Sequence, residues 1–296
     1  MSRRGAAEAA LAWNTVIWGA TFVLVKSALA NISPILFLAL RFSLATVALL
    51  VVFRRSVPPG REPCRWGPTV AAGALAGTFL FSGYLLQTWG LRLTSAPRSA
   101  FLTGLTSVAV PLVAALVYRI RPQISEVAGV LVATVGVALM TLKGAIGAIS
   151  PGDLPTLCCA FAFAAYIVTL GHFAEQMSFE LLSVTQVGVA AVWALALFWW
   201  AEKPHVEWRP SVVYAILITG LLATALAFTI QAWAQQYTSS TRTALIYMLE
   251  PVVAWITSYC VAGEGLSGRA AAGAALILGG VLLVELKPLK ARPHPS

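Results

Sequence analysis

Glu250 and Pro251 stand in the middle of an apolar stretch, Arg242 to Glu264, about as long as one membrane span. A charged side chain at mid-bilayer depth costs about 2.5–3.5 kcal/mol on insertion scales. A chain keeps one there only where it meets protein or water, so the default reading is functional. Pro251 has no backbone N–H and loosens the helical turn before it. Such a carboxyl could bind a cargo amine, pair with a basic side chain or carry a proton. The plain alternative is a protonated glutamate bonded to a neighbouring helix, with the proline as a packing kink.

Arg41 is the complementary group, inside the apolar run 34–53. It keeps its charge and needs a partner or water. It reads either as an anchor for a cargo carboxylate or as a clamp on the carbonyls of another helix. Gln186 falls near its counterpart position in a later span. One acid and one base in one site would suit a zwitterion, which makes amino acids the first cargo to consider. Gln87 and Gln231 could orient a polar solute without a charge penalty, or merely join two helices at about 0.6 kcal/mol on average. Asn14, Trp18, Thr21, Tyr84, Thr103, Tyr166, Trp193 and Tyr247 are further candidates for a mostly apolar pocket with a few polar groups. Ring faces there would accept flat aromatic cargo or cations.

Other chemistries find little support. Cys64, Cys158, Cys159 and Cys260 show no zinc or disulfide spacing, and the adjacent pair reads as small packing residues. His172, His205 and His294 read as loop or tail residues. There is no H-E-x-x-H pattern and no P-loop, so no metal and no direct use of ATP is expected. The 11 acidic residues are spread singly. A membrane enzyme acting on a lipid or isoprenoid would need clustered carboxylates, or a nucleophile beside a base. That enzyme and a passive channel stay open as alternatives to a transporter. No cofactor is expected, and proton coupling through Glu250 is a candidate.

The elements that would position these groups are membrane helices. The chain has 296 residues, 59% hydrophobic and 10% charged, against about 25% charged in soluble domains. Ten spans of about 20 residues would leave only short loops. Hydropathy places them near 10–30, 34–53, 67–91, 98–118, 123–143, 153–173, 180–201, 211–235, 242–262 and 267–286. The net charge of +9 suits loops that grip an anionic bilayer surface. Its basic residues are scattered among apolar runs, which argues against nucleic acid. With the N-terminus in the cytoplasm, twelve of the 20 Lys and Arg fall inside and six outside, leaving Lys26 and Arg41 within spans. The expectation is a multi-pass protein of the plasma (inner) membrane with both termini cytoplasmic. Trp66, Trp199, Trp200 and Trp208 fall at span ends, as an aromatic belt requires. The N-terminus imitates a signal peptide up to Ala28-Leu29-Ala30, but Lys26 interrupts the apolar run, so it is read as the first helix.

The chain also resembles itself. At a shift of 144 residues Gln87 meets Gln231, Trp89 meets Trp233, Thr94-Ser95 meets Thr238-Ser239 and Arg98 meets Arg242. Gly129 meets Gly273, and Gly136-Val137 meets Gly280-Val281. Pro111 and Pro251 miss that shift by four residues. Two five-helix halves follow, 1–147 and 148–296, with Gly152-Asp153 opening the second. An odd number of helices inserts the second copy upside down, and inverted repeats are a transporter architecture with the site near the midplane. The paired glycines let helices five and ten pack closely, against each other or a partner subunit. A monomer and a homodimer both fit.

Trp18-Gly19-Ala20-Thr21-Phe22, Arg41-Phe42, Leu249-Glu250-Pro251, Gly263-Glu264 and the glycine-rich tenth helix resemble the ten-helix, EamA-like branch of the drug/metabolite transporter superfamily. The resemblance runs from Trp13 to Leu286. It implies an all-α membrane protein, not an enzyme, that exports or less often imports small metabolites such as amino acids, nucleoside-like compounds or cationic drugs. Arg121-Pro122 departs from the pattern, standing where the family often keeps a glutamate like Glu264. The reading is a secondary transporter, with cargo held between two halves that rock to open one side at a time.

Overall fold

The computed structural model describes residues 2–54, 66–93, 96–119, 122–142, 150–262 and 267–285. Cys64, Thr94, Ser95, Arg121, Gly263, Glu264, the connection 55–65 and the tail from 286, with His294, lie outside them. So do the side chains of Phe22, Lys26, Trp66, Arg92 and Arg98.

The first five spans are α1 (Arg3–Ala28), α2 (Pro34–Phe53), α3 (Trp66–Leu93), a broken span made of α4 (Ala96–Gly104) and α5 (Thr106–Tyr118), and α6 (Ile124–Thr141). The second five are α7 (Asp153–Ala174), α8 (Phe179–Ala201), a span made of α9 (Pro210–Gly220) and α10 (Ala227–Ala234), a broken span made of α11 (Ser240–Tyr247) and α12 (Glu250–Ala262), and α13 (Gly268–Glu285). A π-helical segment, Leu221–Leu226, joins α9 to α10. Among the described residues, seven spans are individually long and apolar enough to cross a bilayer. Leu116, Ile124 and Trp200 are 84%, 90% and 88% exposed, so the outer faces of the bundle need lipid to cover them.

Glycine shows how the halves are related. A Cβ on Gly136 would lie 2.5 Å from the Gly273 carbonyl oxygen, and one on Gly273 would lie 2.6 Å from that of Gly136. Gly129 and Gly280 make the same reciprocal contact at 2.7 and 2.6 Å. The earlier residue of α6 meets the later residue of α13, so these counterpart helices run antiparallel at backbone contact. They pack on each other. Another pair of contacts shows the same exchange: α1 packs on the α9–α10 and α11–α12 spans, as its counterpart α7 packs on α3 and the α4–α5 span. Two inverted five-helix repeats result.

The expected helices 98–118 and 242–262 are each interrupted. In the second, Met248 and Leu249 donate to carbonyls three residues back, at 3.1 and 3.0 Å, just before Glu250 and Pro251. That tightening is the turn Pro251 was expected to loosen. In the first, Leu105 donates to Leu102 at 3.2 Å. Leu105 and Leu249 are 144 residues apart, so the breaks coincide in the repeat although the prolines do not. Three smaller readings are corrected. The first helix starts at Arg3, because the Ser2 hydroxyl accepts from the Gly5 N–H at 3.1 Å and caps it. His172 lies in the last turn of α7, stacked on Tyr118 with ring centroids 4.0 Å apart, rather than in a loop. Of the adjacent cysteines only Cys159 is buried; Cys158 is exposed.

Candidate functional site

A cavity of about 810 Å³ lies between the two halves. It is lined by residues of α1, α2, α3, the two broken spans, α7 and α10. It reaches the connections α1–α2 and α8–α9 through Ser33, Lys203 and His205. Those connections are joined: Ile32 and Val206 form an antiparallel bridge, and Ser33 donates to His205 at 2.8 Å. Glu202 accepts from the Leu36 N–H at 2.8 Å, tying the start of α2 to the end of α8.

Nine of the sequence candidates line this cavity: Trp18, Arg41, Tyr84, Gln87, Thr103, Tyr166, Gln231, Tyr247 and Glu250. Thr21 joins them. Asn14 and Gln186 lie outside the lining. Both are fully buried, and they tie α1 and α8 to α10, Asn14 donating to Ala227 at 2.8 Å and Gln186 to Phe228 at 3.5 Å. Trp193 is also outside it: it is 43% exposed and donates to Thr78 at 3.1 Å on the flank of α3.

Arg41 is held along one edge. Its Nε donates to Thr224 Oγ1 at 2.6 Å, and its Nη2 donates to the Ala223 carbonyl at 3.1 Å and the Tyr84 hydroxyl at 3.3 Å. Its guanidinium carbon sits 5.1 Å from the Tyr84 ring centroid, within cation–π range. Glu250 opens α12, at the positive end of that helix. Arg41 and Glu250 do not pair with each other, and neither has an oppositely charged partner among the described residues. Rings fill the space around these groups. Trp18 meets Tyr247 edge-on at 4.8 Å and Phe228 at 5.8 Å, while Tyr84 meets Phe163 edge-on at 5.4 Å. Trp18 also donates to the Ala223 carbonyl at 2.9 Å.

The far end of the bundle is sealed by a cluster that sequence reading missed. Arg242, 1% exposed at the start of α11, reaches Glu8 of α1 at 3.4 Å, Glu126 of α6 at 3.8 Å and the Val284 carbonyl of α13 at 3.1 Å. Ser239 donates to Glu126 at 3.1 Å, Thr238 donates to Glu8 at 3.2 Å, and Arg4 pairs with Glu8 at 2.8 Å. Four helices are thus locked by one buried guanidinium. The matched Thr-Ser-x-x-Arg segments carry the signal, but nothing in the sequence joins Arg242 to Glu8 or Glu126. Above the lock, Gln235 donates to the Ile167 carbonyl at 3.0 Å and accepts from Gln231 at 3.2 Å, closing the cavity floor.

Known proteins resemble this chain in sequence and in fold. Residues 7–142 and 150–286 each match the EamA-like transporter family. A protein of Archaeoglobus fulgidus described as an uncharacterized transporter is 34% identical over 95% of this chain and 86% of its own. A probable amino-acid metabolite efflux pump of Salmonella typhimurium is 25% identical over 90% of this chain and 91% of its own. A probable terminal-alkyne amino-acid exporter of Streptantibioticus cattleyicolor is 27% identical over 97% and 96%. One solved crystal structure superposes with a TM-score of 0.79 over 95% of this chain and 97% of its own at 20% identity, a likeness of fold. With two tandem matches to one family and relatives that span almost its whole length, the chain belongs to the EamA-like transporter family and is a multi-pass membrane transporter rather than an enzyme.

Proposed function

We propose that this transporter is a secondary exporter of amino acids that works by alternating access. The supporting observation is the pair Arg41 and Glu250. An acid and a base line one cavity, and neither has an oppositely charged partner among the described residues. Leaving them so is expensive out of water unless something else supplies the missing partners. A zwitterion does: its carboxylate faces Arg41 and its ammonium faces Glu250. The rings of Trp18, Tyr84, Tyr166 and Tyr247, with Gln87, Gln231 and Thr103 between them, receive the side chain. Two relatives, named for amino-acid metabolite efflux and for terminal-alkyne amino-acid export, favour the same class of cargo.

The two units that rock are the halves 1–147 and 148–296. With both termini cytoplasmic in the plasma (inner) membrane, the cavity faces outward and the Arg242 cluster closes the cytoplasmic end. Glu250 is the group through which a proton gradient couples, exchanging a proton for the cargo ammonium. The test is counterflow in proteoliposomes with amino acids, nucleosides and organic cations. Saturable counterflow of amino acids, weakened by Arg41→Gln and by Glu250→Gln, is the expected result. Counterflow of organic cations alone would reassign the cargo, and unsaturable flux would indicate a channel.

A further inference from the structure

The π-helical segment Leu221–Leu226 has no proline or glycine within it to force the extra residue per turn. π-turns gather at functional sites because they turn side chains and carbonyls away from their α-helical directions. Here the segment presents two acceptors to α2. The Ala223 carbonyl takes hydrogen bonds from Arg41 Nη2 and from Trp18 Nε1. The Thr224 hydroxyl donates to the Thr219 carbonyl at 2.8 Å, five residues back, which fixes the direction of its lone pairs. It then accepts from Arg41 Nε at 2.6 Å. Gly220, just before the segment, lets α9 approach the backbone of α2: a Cβ there would lie 3.3 Å from the Arg41 carbonyl oxygen.

All of these contacts hold the guanidinium by its Nε–Nη2 edge. Nη1 has no partner among the described residues, and Arg41 lines the cavity. We infer that Thr224, set by the π-turn, is a positioning residue that aims the free Nη1 edge of Arg41 at the carboxylate of the cargo. The inference rests on the amino-acid reading above and deepens it. Thr224 acts through Arg41 and touches no cargo itself.

The experiment uses full-length protein in proteoliposomes, with labelled L-phenylalanine as the probe and L-phenylalaninamide, which lacks the carboxylate, as competitor. Thr224→Val keeps the shape and removes the acceptor. It should raise the half-saturation concentration for L-phenylalanine about tenfold, the worth of a hydrogen bond to a charged group. The maximal rate should stay near that of the unchanged protein, and competition by the amide should not weaken. Thr224→Ser, which keeps the hydroxyl, should restore the unchanged half-saturation concentration. Equal weakening toward both compounds, a loss of maximal rate alone, or no rescue by Thr224→Ser would show a merely structural threonine and overturn the inference. Arg41→Gln separates the two readings. If it abolishes discrimination between acid and amide while Thr224→Val does not, only the positioning role fails. If Arg41→Gln leaves discrimination intact, or the unchanged protein takes up neither compound, the amino-acid reading fails and the inference fails with it.

Discussion

Gln186 stands one residue from the counterpart of Arg41 in the second half, yet the two face different surroundings. Their backbones are treated alike: Gly220 packs against the carbonyl of Arg41, and Gly77 packs against the carbonyl of Gln186. Their side chains are not. Arg41 lines the cavity, while Gln186 is fully buried outside its lining and donates to the Phe228 carbonyl. The broken spans differ in the same way. Thr106 and Glu250 stand at equivalent positions and both line the cavity, but the Thr106 hydroxyl bonds back to the Thr103 carbonyl at 2.6 Å while Glu250 makes no bond to the described protein. In the proposed mechanism, backbone symmetry would serve the motion, which needs two interchangeable arrangements of the same helices. Side-chain asymmetry would serve the proposed recognition of a zwitterion by one acid and one base.

That division predicts unequal effects at some counterpart positions and equal effects at others. The largest loss is expected where the halves are locked. Arg242→Ala leaves Glu8 and Glu126 without their shared cation, and breaking a buried pair costs about 3–5 kcal/mol. Thermal unfolding in detergent should show a large drop. A variant as stable as the unchanged protein would mean that the cluster does not hold the four helices together.

Arg41→Ala comes next. It should cut amino-acid counterflow roughly 10- to 100-fold, from the loss of hydrogen bonds to a charged group, and should lower thermal stability because α2 loses its tie to the π-turn. Glu250→Gln should cut counterflow about tenfold and flatten its dependence on pH, since the amide keeps the shape but holds no exchangeable charge. Unchanged transport at several pH values would remove Glu250 from the mechanism.

Gly136→Ala and Gly280→Ala test the symmetric part. Each added Cβ meets a carbonyl oxygen of the facing helix, at 2.5 and 2.6 Å, and overpacking of this kind costs about 1–3 kcal/mol. The two variants should lose similar stability; a large difference would argue against reciprocal packing of α6 on α13. Gln186→Ala should have the smallest effect, because it loses one long hydrogen bond, worth about 0.6 kcal/mol. Transport by that variant should stay near that of the unchanged protein.

Much of this was legible before any coordinates. Hydropathy located the spans because lipid-facing helices are apolar on every side. The paired glycines at a shift of 144 residues marked α6 and α13 as close-packing helices, against each other or a partner subunit, and the structure shows the first. Pro251 announced its break because a missing N–H acts locally. What stayed hidden depends on partners remote in sequence. Leu105 interrupts its span with no proline at hand, and the π-turn lies in Leu221–Leu226, a run with no unusual residue. Arg242 opens the apolar stretch 242–264, and nothing near it in sequence names Glu8, 234 residues away, as its partner. Asn14 and Gln186 have the right chemistry for a cargo site, and only packing shows that each spends its amide on α10.

The most direct test of two-ended opening is thiol labelling from either side in a chain freed of Cys64, Cys158, Cys159 and Cys260. One cysteine replaces Ala100 in the cavity wall, and another replaces Thr241 beside the sealed end. Without cargo, position 100 should react with a water-soluble reagent and position 241 should not. During turnover of an amino acid, labelling at 241 should rise as labelling at 100 falls. If both positions gain or lose reactivity together, or if 241 never reacts while cargo crosses, the halves do not exchange one opening for the other.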